Sequence, residues 1–169
     1  AGVTLAERYL EIFPNDDERR WAGVQMDSTD QWCVIHADNV TVSRRWPNER
    51  WQEVITHLQA RGVGVMIVGE SSIGLEADVD LAGLTTIHQL AAIIQNSDLF
   101  IGLDSFPLHI AGSAMCSAIG LFGPTRPEFV LASPAMSSAV ISDPSHPCSG
   151  IQHRQAGLER PAFCETNPM

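Results

Sequence analysis

The chain has 169 residues, 44% of them apolar, which fits one domain with its own core and excludes a disordered composition. Twenty acidic residues stand against ten basic ones, all arginine, so the net charge of -10 argues against non-specific nucleic-acid binding while leaving room for one small anionic ligand. No apolar run approaches the roughly 18 residues of a membrane span, and the first ten residues show no signal-peptide pattern, so a cytoplasmic setting is expected.

Taken in order, residues 4–13 predict a helix capped by Thr4 and ended at Pro14, with 17–30 polar and irregular. Residues 31–36 predict a strand, followed by a polar loop over 37–46. Pro47 then opens a helix to Arg61-Gly62, with Trp51, Val54, Ile55 and Leu58 at helical spacing. A strand at 63–68, a short one at 78–82 and a helix at 86–96 come next. Strand 98–102 leads into a helix from about 106 to 115, then a strand at 117–122. A last strand is expected at 138–142. The strands are continuous apolar runs, as in a parallel sheet covered on both faces. Alternation with helices predicts a Rossmann-like, doubly wound α/β domain. The expected organisation is a helix and linker over 1–30, the α/β domain over 31–142, and a Pro/His/Cys-containing tail over 143–169.

In such sheets ligands bind beyond the carboxyl ends of the strands, so four loops matter: 37–46, 69–77, 102–106 and 123–127. Ser43, Arg44 and Arg45 precede a helix start, where the helix dipole disfavours cations and an anion would offset them. The competing reading is a solvated arginine pair. Gly102, Asp104, Ser105, Phe106, Pro107 and Leu108 combine a buried strand end, N-cap residue types and a proline in the first turn. Backbone N–H groups there would face a ligand, unless the segment is only a capped helix. His109, one turn in, is the weaker member. Glu70 could accept from ribose or base groups, and Thr125 could reach a phosphate; each is equally compatible with an ordinary loop.

Cys33 and Cys116 read as buried thiols. In the tail, His146, Cys148, His153 and Cys164 fit no compact zinc spacing, and loose thiols, a Cys148–Cys164 disulfide and a metal site all stay open. There is no G-x-S-x-G, no G-x-G-x-x-G and no lysine for a P-loop. No resident cofactor or metal is expected.

Three segments resemble glycosyltransferase family 9, the ADP-heptose:lipopolysaccharide heptosyltransferases. Ser43-Arg44-Arg45-Trp46-Pro47-Asn48-Glu49-Arg50-Trp51 is similar to the family's W-P-x-x-x-W segment with its preceding Ser and basic residues. Asp80-Leu81-Ala82-Gly83 with residues 85–90 is similar to its D-L-x-G stretch. Residues 100–111, then Leu121-Phe122-Gly123-Pro124-Thr125, are similar to D-[ST]-G-P-x-H-x-A followed by L-[FY]-G-P-T. The likeness runs in register over roughly residues 31–127. It implies the C-terminal, donor-binding half of a GT-B enzyme, in which two Rossmann-like domains face a cleft. It further implies a nucleotide-diphosphate sugar (ADP-heptose or similar) as ligand, with Ser43 and Arg44 at the phosphates and Glu70 at the nucleoside. Asp104 would lie near the donor sugar and residues 105–108 at the pyrophosphate. Transfer would be inverting and metal-independent, to a bacterial envelope glycan acceptor held by a preceding domain with the general base. Phe106 departs from the family's usual glycine. A non-catalytic nucleotide-sugar-binding or interaction module is the alternative.

Overall fold

The computed structural model describes residues 11–41, 44–127, 131 and, as backbone, 138–142. Its sheet has six strands: β1 (Trp32–His36), β2 (Gly64–Val68), β3 (Val79–Asp80), β4 (Leu99–Leu103), β5 (Ala118–Phe122) and β6 (Ser138–Ser142). Among the described residues four helices accompany them: α1 (Asp16–Gln25), α2 (Asn48–Gln59), α3 (Ile87–Asn96) and α4 (Phe106–Ser113). All pairings are parallel, in the order β3-β2-β1-β4-β5-β6. The doubly wound α/β fold expected from the alternating strands and helices is present. Among the described residues no helix is long and apolar enough to cross a membrane.

Strand pleating sorts the core into two layers, because successive side chains point to opposite faces. Val34, Met66, Phe100 and Ala118 join Ala22 and Met26 of the α1 end, Leu90 to Ile94 of α3, and Leu108, Ile110 and Ala111 of α4. Cys33, Ile35, Val65, Ile67, Ile101 and Leu103 face the other way, onto Trp51 and Ile55 of α2. The order places the winding reversal between β1 and β4. From β1 the chain leaves toward α2 on one face; from β4 it leaves toward α4 on the other. Diverging loops open a crevice there.

The N-terminal region differs from expectation. Residues 11–15 are not helical, and the helix instead covers Asp16–Gln25, where the sequence reads as polar and irregular. The rest of the expected 4–13 helix lies outside the described residues. Asn15, next to the Pro14 expected to end the first helix, is an N-cap. Its Oδ1 accepts from the N–H groups of Asp17 and Glu18, both at 3.0 Å, and its own N–H donates to Glu18 Oε2 at 2.7 Å. This reciprocal box satisfies orphan N–H groups, and three acidic residues in the first turn suit the helix dipole. The polar composition concealed the helix because it buries little: Ala22 is the fully buried residue within it. The other boundaries shift by a residue or two. Pro47 is the N-cap of α2 and not its first residue, and β3 shrinks to two residues. Thr86 caps α3 in a second capping box, with Gln89.

Asn15→Ala removes two accepted hydrogen bonds, and loss of such a cap costs about 1 kcal/mol. Urea unfolding should show a lower midpoint with an unchanged slope; an unchanged midpoint would mean that α1 contributes nothing to global stability.

Candidate functional site

The crevice between β1 and β4 is closed at its base by a charged junction. Arg44 reaches across from the β1–α2 loop. Its Nε lies 3.5 Å from the Asp104 carboxylate, and its Nη1 donates to the Asp104 carbonyl at 3.1 Å. Asn39, itself buried, donates to the same carbonyl at 3.4 Å, and Arg45 Nε donates to the Asn39 carbonyl at 2.6 Å. The Asp104 N–H donates to Leu121 O of β5 at 3.2 Å. The Asp104 side chain is only 7% exposed, against 27% for Arg44, so the pair is largely withdrawn from water. Loops that are 60 residues apart are thereby held together.

Beside this junction lies a cavity of about 280 Å³, near the small end of ligand-pocket sizes. His36, Asp38, Asn39 and Val40 line it from the end of β1, and Gly69 and Glu70 from the end of β2. Thr85, Thr86, Ile87 and Leu90 close one side at the start of α3; Ser105, Phe106 and Pro107 close the other at the start of α4. Val40, Ile87 and Phe106 are all more than half exposed, which gives the polar floor an apolar rim. Ser105 occupies the N-cap of α4 but makes no side-chain cap bond, so that helix presents its positive end without a side-chain acceptor.

The residues named from sequence divide by position. Glu70, Ser105, Phe106 and Pro107 line the cavity. Arg44, Arg45 and Asp104 form the adjoining junction, and Asp104 does not cap α4: its carboxylate is directed to Arg44. Gly102 is buried inside β4, where a Cβ would come within 2.6 Å of the Phe100 ring. It serves close packing and does not reach the cavity wall. Leu108 points its side chain into the core, and its N–H is bonded to Ser105 O at 3.1 Å. His109 is half-buried on α4 and Thr125 is buried beyond β5; neither lines the cavity. Ser43 and the tail's His146, Cys148, His153 and Cys164 lie outside the described residues. Cys33 and Cys116 are buried free thiols, as expected; burial pushes the Cys33 thiol up to about 12 and raises that of Cys116. Among the described residues no group of three or more His, Cys, Asp or Glu side chains is placed to hold a metal ion.

Sequence reasoning missed His36, Asp38, Asn39 and the α3 start. His36 read as the end of an apolar strand, and its side-chain direction is legible only once the pleat is fixed. The ring is 5% exposed, and among the described residues its buried Nδ1 has no hydrogen-bond partner. Gly69, at φ 152°, and Gly102 make room for it: a Cβ on Gly69 would lie 3.5 Å from the imidazole Cδ2, and one on Gly102 would lie 3.4 Å from the His36 Cβ.

Fold and cavity together define a Rossmann-like, doubly wound α/β domain with its cavity at the winding reversal. The model of glycosyltransferase family 9 (heptosyltransferase) matches residues 8–160, and the chain belongs to that family. It is 35% identical over 113 residues to the lipopolysaccharide heptosyltransferase 3 of Escherichia coli K12, which covers 59% of this chain and 33% of that protein. A family 9 glycosyltransferase from Veillonella parvula superposes with a TM-score of 0.74 at 20% identity, over 89% of this chain and 48% of the other. The E. coli heptosyltransferase WaaC, solved with ADP, superposes with a TM-score of 0.59 at 16% identity, over 79% and 47%. The chain therefore spans a third to a half of the length of these relatives.

Burial pulls the His36 imidazole down to about 4, against a smaller opposing pull from the Asp38 carboxylate. Unfolded, the same ring titrates near its ordinary value of about 6.5. Between those values the unfolded chain binds more protons, so stability is complete above the window and is lost as pH falls through it. The full effect is on the order of 3 kcal/mol. Urea midpoints measured from pH 7.5 to 4.5 should fall more steeply for the wild type than for His36→Leu; parallel curves would show that His36 is not buried neutral.

Proposed function

We propose that the chain is the donor-binding part of an inverting, metal-independent, heptosyltransferase-like glycosyltransferase that acts on a bacterial envelope glycan. The ligand is a nucleotide-diphosphate sugar, ADP-heptose or a similar donor. The observation that carries this reading is the juxtaposition at the winding reversal. A ligand-sized cavity meets the start of α4, which lacks a side-chain cap, one residue from a carbonyl that Arg44 bonds.

Backbone N–H groups at a helix start and guanidinium forks both favour phosphate oxygens. The diphosphate belongs at residues 105–107 with Arg44 and Arg45, and the nucleoside at Glu70 and the α3 start. In transfer, negative charge grows on the departing diphosphate, and the same groups stabilise it without reorganisation. The acceptor glycan and the general base that activates it are assigned to a second domain facing this crevice. Phe106, standing where a small residue is usual, adds an apolar wall beside the diphosphate and narrows the choice of donor sugar. The ADP named with WaaC, and the ADP-D-β-D-heptose named with the E. coli heptosyltransferase TibC, make adenosine the first base to test.

Calorimetry with ADP, UDP, GDP, CMP and ADP-heptose is the direct test. At least one diphosphate should bind, with affinity unchanged by EDTA, and Arg44→Ala should weaken it about 10- to 100-fold, the value of a charge-assisted hydrogen bond. Because that variant also strands the Asp104 carboxylate, its near-ultraviolet circular dichroism must match the wild type at the temperature used. Failure of every diphosphate to bind would overturn the reading.

A further inference from the structure

We infer that Phe106 and Ile87 form an apolar clamp for the flat face of the ligand's nucleobase, an inference that rests on the donor-site reading above. Seven large apolar side chains stand exposed among the described residues, and three of them, Val40, Ile87 and Phe106, line this one cavity. Apolar surface gathered at a cleft marks a binding groove, because leaving it in water gains nothing for the fold. Ile87 and Phe106 are the first residues of α3 and α4, so the clamp stands on two helix starts. Each start is fixed locally: the Thr86–Gln89 capping box holds the first, and Pro107 pre-sets the second.

The chemistry of the two side chains names the group they take. Neither carries a hydrogen-bond donor or acceptor, so neither can read hydroxyls or phosphate. A phenyl ring and a branched aliphatic chain gain most by covering a flat, weakly polar surface. In a nucleotide-diphosphate sugar that surface is the base: the two sugars are edged with hydroxyls and the diphosphate is charged. Base–aromatic stacking needs no particular base, because every base has a π-face. The clamp therefore favours nucleosides as a class and leaves the choice among bases to contacts at their edges. Phe106 stands where the family's usual residue is glycine, so the aromatic half of the clamp is a feature of this chain.

Calorimetry with the full chain and ADP, GDP, UDP, ADP-heptose and inorganic pyrophosphate is the test. Phe106→Ala should weaken every nucleoside diphosphate that binds, by about tenfold, within the range of one base–aromatic stack. Pyrophosphate affinity should not change, and Phe106→Trp should keep or tighten nucleotide binding. The Phe106 ring is more than half exposed, so the core does not need it and the alanine variant should fold. The unaltered protein gives a second readout: the Ile87 δ-methyl resonance should move upfield with ADP, under the ring current of the base, and stay in place with pyrophosphate. Suppose that nucleotides bind but Phe106→Ala keeps their affinity, or pyrophosphate weakens in step, or the loss is confined to ADP-heptose, or the Ile87 methyl ignores ADP. The clamp then does not hold the base, and the donor-site reading stands. If no diphosphate binds, both fall.

Discussion

The contact between Arg44 and Asp104 holds the site in register. Two loops leave adjacent parallel strands in opposite directions, and sheet hydrogen bonds alone do not fix their separation. The ion pair, with the carbonyl of Asp104 receiving both Arg44 and Asn39, fixes it. A carboxylate this withdrawn from water is tolerable only with a cation beside it, and removing one member of such a pair costs about 3–5 kcal/mol. The junction thus sets the crevice width before any ligand arrives. It also keeps a guanidinium one residue from the start of α4.

Beside that junction the cavity has two unlike sides: the start of α4 at Ser105, and the carboxylates of Asp38 and Glu70 with a buried neutral imidazole at the ends of β1 and β2. The exposed apolar side chains of Val40, Ile87 and Phe106 add surface that gains from covering flat or weakly polar parts of a ligand.

Sequence signals were strong where periodicity and punctuation agree. Continuous apolar runs marked β1, β2, β4 and β5, and Pro107 and the Arg61-Gly62 stop marked helices between them. They were weak for α1, which owes its place to an Asn15–Glu18 capping box and a small buried face and not to an apolar stripe. Three of the loops singled out, 37–46, 69–77 and 102–106, contribute residues to the cavity, since their place follows from parallel topology. The roles within them were not legible. Asp104 is of an N-cap type and pairs with Arg44; Gly102 ends a buried strand and leaves packing space beside Phe100. Cap, ligand and packing roles use the same residue types, and only a third residue's position tells them apart.

What the sequence determined by itself is the α/β alternation, the burial of the strands on both faces and the family, because these depend on local periodicity and on motifs contiguous along the chain. What tertiary structure decided is the set of residues that face the cavity together. His36, Glu70, Thr86 and Ser105 are far apart in sequence and carry no shared local signal. They meet because the sheet order β2-β1-β4 brings their strand ends side by side, and because a one-residue change in pleat would turn His36 to the α2 face instead.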